Sequence, residues 1–293
     1  VFLFGFMGGG YRFVEEFDDD GGSVNLIGTL PDLSAGGMEE DEMAALSVHH
    51  LRNQLQLETR SQPGRGRVLT ITSASSGDGK TSLCLSLGMS FAVAGKRTII
   101  VDADLVGRGM TAQLGLRQAE GLVQVVERHA VNGEVTSTPF KGLDVLPAGF
   151  GERVEAEHLT QESFGWIVER LRSQYDTVLI DTGPVLGSLE ANIASSISDR
   201  VVLAVSRGQN PKLVKASLQR IERVGGVCAG IVFNRARLTD LQRSFSHASV
   251  VSQSVRSLPA SKDRGIHTPK ALGGDALTRA LAPPPQIEES DES

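Results

Sequence analysis

Lys80 follows a run of small and flexible residues, Ala74-Ser75-Ser76-Gly77-Asp78-Gly79, and precedes Thr81 and Ser82. Glycines at 77 and 79 let the backbone curl so that several N–H groups point to one place. A helix beginning near Lys80 adds the positive end of its dipole there. Lysine and threonine in this order supply a charge for β- and γ-phosphates and a hydroxyl for Mg²⁺. The stretch is therefore a phosphate cradle of the relaxed P-loop form, with Ala74 where the first glycine often stands. Its candidate nucleotide contacts are Ser76, Gly77, Asp78, Gly79, Lys80, Thr81 and Ser82. A chance Gly-rich turn is the competing reading. It does not account for the β-rich run before the motif or the apolar helical run after it.

Two further motifs carry carboxylates. In "TIIVDADLVGR" (98–108), Asp102 and Asp104 end an apolar strand. Ligands of doubly wound sheets bind at that edge, so the pair can hold Mg²⁺ or take a proton from an acceptor hydroxyl. The competing role is that of solvated or helix-capping aspartates. In "DTVLIDTGPVL" (176–186), Asp181 ends another apolar strand, where a carboxylate reaches Mg²⁺ through water. Asp181 alone says little; the three motifs in this order say much more. The letters of Gly107 to Ala112 match a dinucleotide G-x-G-x-x-A, but they lie several residues past the strand end. His49-His50, His129 and His158 lack ligand spacing and read as surface or structural.

The elements that position these residues follow from pattern. Strands are predicted at 67–72, 97–101, 143–146, 177–180, 201–205 and 229–233. Several are apolar without alternation, as strands covered on both faces are. Helices are predicted at about 161–174, with Phe164, Ile167, Val168 and Leu171 inward, and from Pro211 to Val224. The latter has Asn210 as N-cap, Val214, Leu218 and Ile221 on one side, and Gly225-Gly226 as its end. A helix over about 40–58 would place Met43, Leu46, Leu51, Leu55 and Leu57 roughly together, and "RSQPGRGR" breaks it. Alternating strands and helices give an α/β fold, a doubly wound and mostly parallel sheet in three αβα layers.

Of 293 residues, 40% are hydrophobic and 22% charged, and the net charge of -6 gives no basic footprint for nucleic acid. Cys84 and Cys228 lie in apolar runs and read as buried, reduced core residues. The domain is expected over 67–240, after a linker with one helix at 14–66. A Ser/Pro-rich, disordered tail is expected at 241–293. The first 13 residues open with "VFLFGFMGGG", too short to span a membrane. They read either as the end of a truncated transmembrane helix or as a short terminal segment.

The three motifs in series resemble the bacterial tyrosine kinases (BY-kinases), the cytoplasmic domains of capsular and exopolysaccharide co-polymerases. "LDVLPAG" (143–149), "YDTVLIDTGPVL" (175–186), "ANIASSISDRVVLAVSRGQ" (191–209) and "GIVFNR" (230–235) are similar to that family's later landmarks. "VNLIGTLPDL" and "HHLRNQL" resemble the segment joining its second membrane helix to the kinase domain. The resemblance implies ATP and Mg²⁺ as cofactors, with Asp102 as base, Asp104 and Asp181 toward Mg²⁺, and Asn234 toward adenine. It implies a protein substrate with an acceptor tyrosine, polysaccharide polymerase or export machinery as partner, and a homo-oligomer. The expected place is the cytoplasmic face of a bacterial inner membrane, which favours the membrane-helix reading of the opening. The related partitioning ATPases carry a second lysine early in the P-loop; Ser75 stands there and favours the kinase branch.

The chain departs from that family in three places. Val106 stands where an arginine is usual, with Arg108 two residues on. The oligomerising E-x-x-R-x-x-R aligns with Leu46, His49 and Arg52, of which only the last matches. The tail lacks tyrosine; the chain has two, Tyr11 and Tyr175. Tail autophosphorylation on tyrosine is thereby impossible, and an ATP-hydrolysing conformational switch without kinase activity is the alternative expectation.

Overall fold

The computed structural model describes residues 11, 25–32, 38–59, 64–131, 133–151 and 159–237. The expectations for residues 1–10, for most of the acidic stretch after Tyr11, for His158 and for the tail from 241 lie outside them. In chain order the elements are β1 (Leu26–Pro31), α1 (Met38–Glu58), β2 (Arg67–Ser73), α2 (Lys80–Val93), β3 (Thr98–Asp102), α3 (Gly109–Gln113) and α4 (Leu122–Arg128). There follow β4 (Thr136–Ser137), β5 (Leu143–Leu146), α5 (Gln161–Arg172), β6 (Thr177–Asp181), α6 (Leu189–Ile197), β7 (Arg200–Ser206), α7 (Pro211–Arg223) and β8 (Cys228–Ala236).

The strands form one sheet in the order β1-β8-β7-β2-β6-β3-β5-β4. All pairings are parallel except that of the two-residue β4 with β5. The apolar runs of β2, β3 and β6 are buried along their whole length, because helices cover both faces. Adjacent strand residues point to opposite layers. Leu69, Ile71, Ile100 and Leu179 pack with α1 and α2, whereas Val68, Ile99, Val101, Val178 and Ile180 pack with α4 and α5. Val201, Leu203, Val205, Ile231 and Phe233 meet Val214 and Ile221 of α7. This is the expected three-layer αβα architecture. Within α2, Gly88 permits close approach to the sheet, since a Cβ there would press on the side chains of Ile100 and Leu143.

The predicted helix starts hold. Thr160 accepts a hydrogen bond from the Ser163 amide at the head of α5, and Asn210 accepts one from the Lys212 amide at the head of α7. Other details differ. On α1 the buried stripe is Ala44, Val48, Leu51 and Leu55, while Leu46 is partly exposed and Leu57 is 80% exposed. The helical period selects 44, 48, 51 and 55, and the leucine content of the segment pointed elsewhere. Burying Leu51 and Leu55 contributes about 1.5–3 kcal/mol each. Cys84 is buried, but Cys228, at the start of β8, is only half-buried.

The apolar "LIGTLP" forms β1, which extends the sheet beside β8, and α1 packs on β1 and α2. The packed unit thus reaches back into the segment expected to be a linker. Tyr11 is buried beside β7 and exchanges backbone hydrogen bonds with Gly208 and Gln209. Among the described residues, no helix is long and apolar enough to cross a membrane.

Candidate functional site

Parallel pairing brings the C-terminal ends of β2, β6 and β3 to one edge. β2 runs into the P-loop and then α2. Gly77 and Gly79 both take φ of 85°, in the left-handed region that glycine tolerates. Gly79 caps α2 in that conformation, and the amides of the first helical turn have no acceptor within the helix. A Cβ at 79 would fall inside the Asn234 side-chain amide, so this glycine is required twice. Ser76, Gly77 and Ser82 face solvent, Thr81 is half-buried, and Lys80 is 7% exposed.

Asp78 points inward. Its carboxylate accepts from the Ser75 amide at 2.9 Å, the Ser206 hydroxyl at 2.7 Å and the Gln209 side-chain amide at 3.0 Å. It therefore shapes the loop from within and ties it to the end of β7. Asn234, at the end of β8, donates to the Asp78 carbonyl at 3.1 Å and accepts from the Arg235 amide. The structure thus places Asn234 against the cradle, bracing it.

The carboxylates converge beside this loop. Asp102 and Asp181 are register partners on β3 and β6, and both are buried. Thr111 of α3 donates to Asp102 Oδ2 through its amide at 2.8 Å and its hydroxyl at 2.6 Å. The Asp104 amide reaches Oδ1 at 3.2 Å. Burial pushes the Asp102 carboxyl up to about 6, with the Thr111 hydrogen bonds opposing it and the Asp104 charge adding to it. Asp181 is pushed well above the ordinary range, by burial first and then by the Asp102 charge, with the Thr81 hydroxyl and Lys80 opposing. Both carboxylate oxygens of Asp181 are buried and neither receives a well-formed hydrogen bond, though the Thr81 hydroxyl and the Lys80 charge lie close enough to favour the ionised form. Asp104 is half-exposed and accepts from the Gly107 amide at 2.9 Å.

This arrangement fits a bound cation. Two orphaned carboxylate oxygens are costly unless a charge meets them, and the Thr81 hydroxyl and Asp104 border the same spot. A Cβ at Gly109 would lie 3.8 Å from Thr81 Oγ1, and one at Gly183 would lie 3.5 Å from Asp104 Oδ1. No cluster of three or more His, Cys, Asp or Glu ligands exists among the described residues, so threonine and substrate oxygens must complete such a shell, as Mg²⁺ permits.

The structure therefore gathers Lys80, Thr81, Asp102, Asp104, Asp181 and Asn234 at one edge. It adds three residues that the sequence did not flag: Thr111, Ser206 and Gln209. All three lie inside stretches already singled out, Thr111 in 107–112 and the other two in 191–209, but each is a common polar type whose role depends on which loop it meets. Arg108 does not stand free in place of the missing arginine. Its guanidinium and Nε donate to the carbonyls of Leu105, Gly149 and Gly151. Tyr175 lies away from the site, and its hydroxyl donates to Asp144 at 2.9 Å. His49 accepts from or donates to Ser90 of α2 at 2.7 Å, and Arg52 donates to the Ser90 carbonyl. Two of the three positions aligned with the oligomerising motif thus make contacts within the chain.

The chain resembles known proteins in sequence and in fold. A family described as an AAA domain matches residues 66–219, just over half of the chain. The tyrosine-protein kinase CpsD of Streptococcus pneumoniae is 27% identical over 172 residues, covering 58% of this chain and 76% of CpsD. The tyrosine-protein kinase Wzc of Salmonella typhi is 29% identical over 199 residues, which are 66% of this chain but only 27% of Wzc. The crystal structure of the chimerical protein CapA2B2 superposes with a TM-score of 0.67 at 26% identity, covering 76% of this chain and 99% of that one. The chain belongs to the AAA-domain family of P-loop ATPases and, within it, to the bacterial tyrosine kinases.

Proposed function

We propose that the protein transfers the γ-phosphoryl group of ATP to tyrosine on a protein acceptor, as the regulatory kinase of a bacterial capsular or exopolysaccharide system. On this reading it works at the cytoplasmic face of the inner membrane beside the polymerase or export machinery, with homo-oligomerisation as an option. The observation that carries the reading is the placement of Asp102 and Asp181 in register beside Lys80. The names borne by CpsD and Wzc direct it to tyrosine.

Ser76 to Ser82 would hold the phosphates, with Lys80 and the loop amides stabilising charge on the transferring group. Thr81, Asp104 and Asp181 would hold Mg²⁺, which when bound neutralises phosphate charge. The tyrosine oxygen forms a bond to the γ-phosphorus as the bond from that phosphorus to the β,γ-bridging oxygen breaks, and ADP leaves. The phenolic proton goes to Asp102. Thr111 fixes Oδ2 of that carboxylate, so Oδ1, held only by the 3.2 Å contact, is the oxygen to receive it. A base near 6 is ionised at neutral pH and still basic enough to serve. Asn234 would meet adenine from its position over Gly79.

The test uses the purified chain, Mg²⁺, γ-labelled ATP and a bacterial lysate as acceptor source, with Lys80→Met as control. Phosphotyrosine is expected on lysate proteins, falling by about a hundredfold or more in the variant. Free phosphate without phosphotyrosine would sink the kinase reading and leave an ATP-hydrolysing switch. The exposed Val106 and the engaged Arg108 are the observations that favour this second reading.

A further inference from the structure

The strand order gives the site a direction. The P-loop follows β2; Asn234 leans on it from the β8 side, and Asp181 and Asp102 flank it from the β6 and β3 side. On the kinase reading, on which this inference rests, the transferable phosphoryl end faces β6 and β3. An acceptor must then approach over the loops that follow β3 and β5.

Those loops present apolar side chains to solvent. Val106, two residues past Asp104, is 89% exposed, and Phe150, after β5, is 40% exposed. Their exposure does not come from a loose backbone. Arg108 binds the carbonyls of Leu105, Gly149 and Gly151, joining the two loops on either side of Phe150. Gln124 of α4 donates to the Phe150 carbonyl at 2.8 Å. Three consecutive carbonyls, 149 to 151, are thus held by side chains, and Phe150 keeps 40% of its surface in solvent. Holding an aromatic residue part-exposed on a fixed backbone forgoes some burial but preorganises a contact. The charge that these loops carry, the Arg108 guanidinium, is committed to the carbonyls of Leu105, Gly149 and Gly151, which leaves the outward contacts of this rim to its apolar side chains.

We propose that Val106 and Phe150 form an apolar platform that receives the residues flanking the acceptor tyrosine and selects acceptor segments in which those neighbours are aliphatic or aromatic.

The experiment uses two short fluorescein-labelled peptides with the same central tyrosine, one flanked by Leu and Ile, the other by Asp and Glu. Binding to the full chain is followed by anisotropy with Mg²⁺ and a non-hydrolysable ATP analogue. The apolar peptide is expected to bind about five- to tenfold more tightly, the gain from covering a half-exposed phenyl ring and a valine. Phe150→Ser and Val106→Ser are each expected to reduce that preference to about twofold or less. Affinity for the ATP analogue on the same samples shows that each variant is folded; if Phe150→Ser is not, the solvent-facing Val106→Ser carries the test. Equal binding of the two peptides, a preference for the acidic one, or a preference that survives both substitutions overturns the platform. The same peptides are then incubated with labelled ATP. Selective binding without phosphotyrosine overturns the kinase reading and leaves the platform standing, whereas equal phosphorylation of both peptides overturns the platform alone.

Discussion

At the edge where the strands begin, Arg172 commits each of its nitrogens to the protein. Nε donates to the Gly66 carbonyl at 2.9 Å, Nη1 to Glu169 at 3.3 Å and Nη2 to Asp199 at 3.0 Å. Asp199 in turn accepts from the Val68 amide at 2.7 Å. At the edge where the same strands end, both oxygens of Asp181 are buried and receive no well-formed hydrogen bond. One network closes on itself and the other stays open. A buried charge that serves the fold is satisfied by the fold, whereas one that serves a ligand is left for the ligand to satisfy.

The strongest way to break this contrast is Asp181→Asn. Turnover with Mg²⁺ and ATP is expected to fall by about a hundredfold or more. The nucleotide-free protein should move the other way. Asp181 has a folded-state pKa above its unfolded value, so its ionisation at neutral pH costs stability, and an amide removes that cost. A rise of about 2–4 °C in Tm, read by calorimetry without Mg²⁺, is expected. A fall in Tm would mean that the carboxylate is structural after all.

Arg172→Met is the mirror experiment. It leaves Asp199, whose side chain is 29% exposed, without its guanidinium partner. The expected loss is about 2 kcal/mol in urea unfolding, below the figure for a fully buried pair because water reaches Asp199. ATP affinity, read by titration calorimetry, should stay within a factor of about two, since sites this far apart act independently.

The finest cut is Gln209→Ala. Asp78 keeps Ser75 and Ser206 but loses its third donor. A weakening of ATP binding by about tenfold is expected, the worth of one charge-assisted hydrogen bond of about 1.5 kcal/mol. If affinity does not change, the tie from the P-loop to β7 positions nothing.

The two edges also differ in how far the sequence discloses them. Strands β3 and β6 were legible from the apolar runs between their end residues, β2 from its β-branched content (Val68, Thr70, Ile71, Thr72), and the P-loop because its spacing is fixed by the geometry of phosphate. Asp102, Asp104 and Asp181 followed as carboxylates at strand ends. The Arg172 network was not legible, since nothing in the letters of Gly66, Arg172 and Asp199 says that parallel pairing will stack the strand starts together. The same holds for Thr111 and Gln209, which act through loops far from the motif in sequence. β1 was hidden for another reason. "LIGTLP" is short and sits between acidic stretches, and only its pairing with β8 makes it a strand. Arg108 offered a charge at nearly the right place, and its three carbonyl partners become visible only once the loop after β5 is folded beside it.

The position of β1 has a consequence for biosynthesis. Among the described strands it is made first, yet Leu26 pairs with Ile231 of β8, which is made last. Until β8 is made the nascent β1 has no strand to join, and the P-loop lacks Asn234. Closing so long a loop is slow, so the sheet, and with it the brace on the P-loop, is finished only when the ribosome has passed β8. The fully braced P-loop is then a property of the completed domain, absent from partly made chains.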